Sequence, residues 1–219
     1  GVVTRALARA LPVETGIVAS DLNQPMLDHA ASIGTARPVR WQQADALALP
    51  FADGAFDLVV CQFGVMFFAD KPRAFAEARR VLRNGGTLLF SAWDRIEANE
   101  LAHEISLALE TLFPADPPRF MARTPHGYHD KARIGADLAQ GGFASPMQLD
   151  TVAARSIAAS AREPAVAYCQ GTPWRNEIEA RSPPGLNAAT QGATEAIERR
   201  FGSGRIDAAI QAHVVAIVK

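Results

Sequence analysis

Cysteine is scarce in this sequence, with Cys61 and Cys169 the two in 219 residues. That is too few for a disulfide framework, so a reducing, cytoplasmic setting is expected. Charge of one sign is also lacking. Lys and Arg number 22 against 23 Asp and Glu, for a formal net charge of −1, and no block of five like charges occurs. The pairs Arg79-Arg80 and Arg199-Arg200 read as solvated helix faces, so no nucleic-acid partner is expected. Long apolar runs are missing too. Charge or Gly interrupts each within about a dozen residues, short of what a membrane-spanning helix needs. The chain does not open on a cationic segment, an apolar stretch and a small-residue cleavage site. No His-x-x-x-His or Cys-x-x-Cys spacing occurs, and His126 with His129 is only a pair at i, i+3, so no metal is expected. The absence of Gly-x-Ser-x-Gly argues against nucleophile-elbow serine chemistry.

What remains is ordinary globular composition, 48% hydrophobic and 21% charged, at a length suited to one α/β domain. Residues 1–219 read as a single domain with no repeat or linker. Short β-like runs alternate with helical ones, the signature of crossovers around a parallel sheet. Residues 2–11 have helical spacing, with Val3, Leu7 and Ala10 opposite Arg5 and Arg9. A strand at 16–20 ends at Asp21, and a helix at 24–33 stops at Gly34. Strands follow at 39–43 and at 56–62, the latter introduced by Asp53-Gly54. An amphipathic helix at 71–82 ends at Arg83-Asn84-Gly85-Gly86, and a strand begins at Thr87. Beyond Trp93, helices are expected at 98–113, 131–140, 161–171 and 188–201, with strands at 147–152 and 210–218.

Acidic residues at strand ends carry the first functional signal. In a doubly wound sheet, ligands sit outside the carboxyl ends of the strands. Asp21 can accept both hydroxyls of a ribose, because a carboxylate accepts through two oxygens. Asp45, closing the next strand, can accept from the exocyclic amino group of adenine. Ala44 and Ala46 leave room for a flat ring, and Leu22 could cover its face. Alternatively, either Asp simply caps the following helix. Gly1, opening the first helix some twenty residues before Asp21, suits the last Gly of a nucleotide-binding loop or a plain N-cap.

From Gly1 to Trp93 the sequence resembles the class I S-adenosylmethionine-dependent methyltransferases, nearest to the ubiquinone/menaquinone C-methyltransferase-like group. The matching text is Gly1-Val2-Val3-Thr4, residues 19–27 (ASDLNQPML), Gln43-Ala44-Asp45-Ala46, Leu49-Pro50-Phe51, residues 56–60 (FDLVV) and residues 77–88 (EARRVLRNGGTL). The resemblance implies a Rossmann-like, doubly wound, mostly parallel seven-stranded sheet with its last strand antiparallel. It implies S-adenosyl-L-methionine as cofactor, Asp21 on the ribose, Asp45 and Ala46 on the adenine, and Gln62-Phe63 on the methionine side. Residues 1–93 are then the cofactor-binding half, and residues 94–219 cover the acceptor. The family carries an apolar strand and a Gly-x-Gly-x-Gly loop before the position of Gly1, so this first strand is expected among about 40 further N-terminal residues, a length scaled to a strand and a helix.

Methyl transfer from a sulfonium is an in-line displacement in which the protein mainly aligns the reactants. A base that takes a proton from the acceptor is an optional addition. Residues 93–129, rich in aromatic, His and Pro residues, are the region expected to cover a small-molecule acceptor. His126 and His129 are the candidate bases; alternatively they are loop histidines that cap or face water. A nicotinamide-dependent dehydrogenase would also use Asp21, but the Tyr-x-x-x-Lys of its short-chain group is absent, Tyr128 and Lys131 being three apart. A non-enzymatic binding module on the same fold is the other alternative.

Overall fold

A computed structural model describes residues 1–181 and 183–219. The first half alternates α1 (Val2–Ala10), β1 (Val18–Asp21), α2 (Gln24–Ile33), β2 (Arg40–Gln43), β3 (Phe56–Gln62), α3 (Lys71–Val81) and β4 (Leu82–Trp93). Local chemistry places these boundaries. Asn23 precedes α2, Pro25 sits in its first turn, and Gly34 ends it at φ 80°. Asp70 caps α3 by accepting from the Arg73 N–H at 3.0 Å. The α3 residues Ala74, Phe75, Ala78 and Val81 form one buried stripe. β4 starts earlier than the Thr87 expected from sequence. Leu82 already pairs with Phe56, and the ladder resumes at Leu58 opposite Thr87 after an irregularity that Gly85 at φ 77° accommodates.

The second half contains α4 (Glu100–Leu112), α5 (Phe120–Arg123), α6 (Lys131–Gln140), β5 (Gln148–Ala158), α7 (Arg162–Gly171), α8 (Trp174–Glu179), α9 (Gly185–Phe201) and β6 (Ile206–Val218). Both closing strands exceed their expected lengths. β5 continues to Ala158 because residues 153–158 pair with residues 206–211 of β6. That stretch of β5 has little apolar alternation, so pairing with a partner strand rather than its own pattern makes it a strand. The unexpected α8 is anchored by fully buried Trp174 and Ile178, and Trp174 donates from Nε1 to the Pro118 carbonyl at 3.0 Å.

Among the described residues six strands form two sheets, ordered β2-β1 and β3-β4-β6-β5, rather than the expected single sheet of seven. β1 and β3 share no ladder among the described residues, so each keeps one edge without a strand partner. β1 with β2 and β3 with β4 are parallel, and β6 runs antiparallel between β4 and β5. One core cluster lies where α3 and α6 cover the larger sheet, from Phe75, Leu88, Phe90, Ile134, Leu138, Val215 and Ile217. A second joins α4, α7, α8 and α9 to the start of β6 through Leu101, Ile105, Trp174, Ile197 and Ile206. Each such large side chain contributes about 1.5–3 kcal/mol by leaving water. Together they hold the sheet rigid behind its carboxyl edge.

The segment after β2 is fastened to α3. Arg80 donates to the carbonyls of Leu49 and Phe51 at 2.8 and 2.7 Å and to Asp53 Oδ1 at 2.8 Å. Glu77 accepts from the Leu49 N–H at 2.8 Å, and its hydrogen bond with Arg80 holds its carboxyl below the usual range. Arg73, in the first turn of α3, donates to the Leu47 carbonyl at 2.9 Å. The residues following Asp45 therefore lie beside the start of α3, just past the carboxyl end of β3.

Candidate active site

The parallel register pairs Asp21 with Gln43, and the Ala44 N–H continues it by donating to the Asp21 carbonyl at 3.0 Å. Asp21 and Asp45 thus stand at the carboxyl tips of adjacent strands, on one edge. Neither caps a helix. Asp21 Oδ1 accepts from the Asn23 N–H at 2.9 Å and Asp45 Oδ1 from the Leu47 N–H at 2.8 Å, each closing a turn two residues on. Since a carboxylate offers roughly four lone-pair sites, most of each group's accepting capacity remains. Leu22, 60% exposed, projects between them in sequence, and Gln43 Nε2 holds its carbonyl at 2.8 Å. Ala46 is half-buried. Gly1 N-caps α1, and a Cβ there would lie 2.9 Å from Ala30 Cβ. Close packing of α1 on α2 accounts for this glycine in the structure.

Gln62 and Phe63 end β3. Gln62 is exposed, and Phe63 adopts φ 50°, the left-handed region that non-glycine residues seldom enter. Such a residue costs on the order of 1–3 kcal/mol and persists only where its surroundings enforce it. Here the Phe63 N–H donates to the Ser91 carbonyl at 3.2 Å, and the ring stacks on Trp93 at 4.1 Å and 10°. Phe63 and Trp93 form an aromatic wall across the tips of β3 and β4. The Trp93 ring centroid is 6.0 Å from that of His126.

His126 and His129 both fall on this side of β4, and neither is a freely solvated loop residue. His126 is 4% exposed, with Nδ1 2.8 Å from the Asp94 carbonyl; His129 Nδ1 is 2.9 Å from the His126 carbonyl. A carbonyl only accepts, so each Nδ1 carries a proton and Nε2 is the nitrogen left to act as a base. Burial pushes the His126 imidazole below the ordinary histidine value, outweighing its bond to Asp94, so it is neutral at pH 7.

Sequence reasoning missed the groups behind these rings. Asp94 Oδ2 accepts from Gln211 Nε2 at 2.6 Å, and Oδ1 accepts from the Arg95 N–H at 2.7 Å. Burial raises the Asp94 carboxyl, but these two donors outweigh it and leave the group below the usual carboxylate range. Buried Asn99 donates to the carbonyls of Asp94, Arg95 and Gln211 and accepts from the Gln211 N–H. His213, 1% exposed, places Nε2 3.3 Å from Asp94 Oδ1. One signal was available: Gln211 and His213 occur at i, i+2 in an otherwise apolar run, on one face of a strand. Their partners could not be named from that pattern.

Among the described residues, no group of three or more His, Cys, Asp or Glu could hold a metal ion, and no helix is long and apolar enough to cross a membrane.

Residues 1–90 match the family model described as a methyltransferase domain. The ubiquinone/menaquinone biosynthesis C-methyltransferase of Teredinibacter turnerae is 30% identical over 157 residues, 66% of this chain and 63% of that protein. The demethylmenaquinone methyltransferase of Thermus thermophilus is 49% identical over 75 residues, 33% of this chain and 34% of that one. The chain thus spans 63% of the length of the first of these relatives and 34% of the second. Among solved structures, a candidate methyltransferase of Bacillus halodurans superposes with a TM-score of 0.60 at 18% identity, covering 100% of this chain and 88% of that one. The phosphoethanolamine N-methyltransferase 2 of Haemonchus contortus, solved with S-adenosylhomocysteine, gives 0.53 at 14% identity, covering 98% and 46%. Residues 1–90 are thus similar to a methyltransferase domain, and the chain is similar to the ubiquinone/menaquinone C-methyltransferase group.

Proposed function

We propose that the protein transfers a methyl group from S-adenosylmethionine to a small-molecule acceptor. The observation that carries this reading is the pair of carboxylates, Asp21 and Asp45, at adjacent parallel strand tips with most of their accepting capacity unused. Asp21 would hold the ribose hydroxyls, Asp45 and Ala46 the adenine edge, and Leu22 a face of the ring. Gln62 and the strained Phe63 would line the methionine side. Gly1 would border the cofactor as well as pack on α2. The residues fit such a ligand, which combines hydroxyl and amino donors with a flat apolar ring.

S-adenosylmethionine, when bound, supplies an electrophilic methyl group, so no protein nucleophile is required. The chain's own task is alignment and exclusion of water. Phe63 and Trp93 form an apolar wall for the acceptor, and the Nε2 of His126 or His129 takes the acceptor's proton where its chemistry requires that. The same reading makes residues 1–219 one cytoplasmic domain, 1–93 binding the cofactor and 94–219 covering the acceptor. It also treats the two sheets, β2-β1 and β3-β4-β6-β5, as parts of one seven-stranded sheet. Calorimetric titration with S-adenosylhomocysteine, and separately with NAD, tests the function. Saturable binding of the first alone is expected; binding of NAD alone, or of neither, overturns the reading.

A further inference from the structure

The polar cluster under the loop at 126–131 is linked more extensively than a pair of loop histidines would require. Lys131 Nζ, an obligate donor, reaches Thr151 Oγ1 at 2.9 Å, and Thr151 Oγ1 lies 3.0 Å from His213 Nδ1. Thr151 Oγ1, with one proton and two lone pairs, accepts from Lys131 and can either donate to or accept from His213 Nδ1. The Asp94 carboxylate oxygen 3.3 Å from Nε2 only accepts, which favours a neutral His213 with its proton on Nε2. That Nε2 is fully buried and makes no hydrogen bond among the described residues, Asp94 Oδ1 being a carboxylate oxygen within ion-pair distance. On its other oxygen Asp94 receives Gln211, and its main-chain carbonyl receives His126 Nδ1. Strand pairing sets this row, because Ala92, His213 and Thr151 are direct neighbours across β4, β6 and β5.

We propose that Asp94 is a positioning residue for His126: its carbonyl decides which imidazole nitrogen is basic, and its carboxylate, held by Gln211 and facing His213, stabilises positive charge arising on that ring. The inference rests on His126 acting as the acceptor's base, and adds what gives that base its orientation and proton affinity. Backbone at the end of β4 alone would fix the carbonyl. The buried carboxylate does more, because an anion near the imidazole favours its protonated form. Other charged groups bear on the same ring: Glu97 favours the imidazolium, whereas His129 opposes it. Burial opposes charge on His213 most; Asp94 and the His129 backbone favour it, Lys131 and the His129 ring oppose it, and the imidazole lies below the ordinary histidine value.

The test uses the full protein labelled with nitrogen-15 and needs no acceptor. Long-range proton–nitrogen correlation resolves the tautomer and titration of the five histidines, His29, His103, His126, His129 and His213. In the unmodified protein His126 is expected neutral at pH 7 with its proton on Nδ1, and His213 with its proton on Nε2. Asp94→Asn keeps the side-chain shape but removes the charge. It should lower the His126 midpoint and leave those of His29 and His103 unchanged. An unchanged His126 midpoint in a folded Asp94→Asn protein overturns the proposal. If that variant fails to fold, the unmodified protein still decides: a His126 proton on Nε2, or a His213 proton on Nδ1, overturns it. Adding S-adenosylhomocysteine to the same samples separates the two readings. Failure to bind it refutes methyl transfer, while the imidazole titrations report on Asp94 regardless.

Discussion

Replacing Asp21 separates its local duty from its proposed ligand duty. The carboxylate accepts from the Asn23 N–H at 2.9 Å through Oδ1 and is half-buried at the tip of β1. Asp21→Ala removes that turn bond, worth about 0.5–1.5 kcal/mol of folding free energy. It also removes the group proposed to hold two ribose hydroxyls. Charge-assisted bonds of this kind are worth about 1.5–3 kcal/mol, so a loss of about 2–3 kcal/mol in binding is expected, or roughly 30- to 150-fold in Kd. Asp21→Asn discriminates between the two duties. Its Oδ1 can still close the Asn23 turn, so thermal stability should stay near that of the unmodified protein. With the charge and one acceptor gone, the Kd should lie between those of the other two proteins. The assay is calorimetric titration of all three with S-adenosylhomocysteine, beside thermal melting. Equal Kd values across the series would remove Asp21 from the site, and with it the argument from paired strand tips.

Stability should fall with acidity in two stages. His126 and His213 lie below the ordinary histidine value because burial penalises their cations, so the unfolded chain binds more protons once pH drops below about 6.5. Glu77, Glu100 and Glu177 are depressed, so the stability they provide is present above about pH 4.5 and is lost as pH falls through their folded values. A His126→Gln/His213→Gln double variant should flatten the fall in Tm between about pH 7 and pH 5.5; an unaltered slope contradicts the assignment. Trp174→Ala should cost about 3–5 kcal/mol in urea unfolding, because the ring is completely buried. Trp174→Phe should cost less by keeping most of the packing while losing the bond to Pro118. Gly141→Ala should cost about 1–3 kcal/mol, since its Cβ would lie 2.6 Å from Phe75 Cβ and 3.0 Å from the Pro72 carbonyl. A neutral result there would mean that α6 can shift on α3.

The two halves of the molecule differed in how far they could be read. Asp21 and Asp45 were legible because a strand's end, its carboxylate and the following helix are all local in sequence. Gln24–Ile33, with its Pro and Gly boundaries, and the strand at Phe56–Gln62 were read for the same reason. Residues 153–158 were not, since only their pairing with β6 makes them a strand. Helix α8 was hidden because its stability lies in two buried anchors rather than in periodicity.

The sequence by itself therefore determined the alternation of elements, the helix limits set by Pro, Asp and Gly, and the acidic strand tips, all effects of near neighbours. Tertiary structure alone decided that β6 runs between β4 and β5, so that Gln211 and His213 meet Asp94 from more than a hundred residues away. It also decided that Phe63 and Trp93 stack, that Gly1 packs on Ala30, and that six strands lie in two sheets. The reason is register: a strand's own pattern tells which face is apolar, but not which residue of another strand it will stand beside.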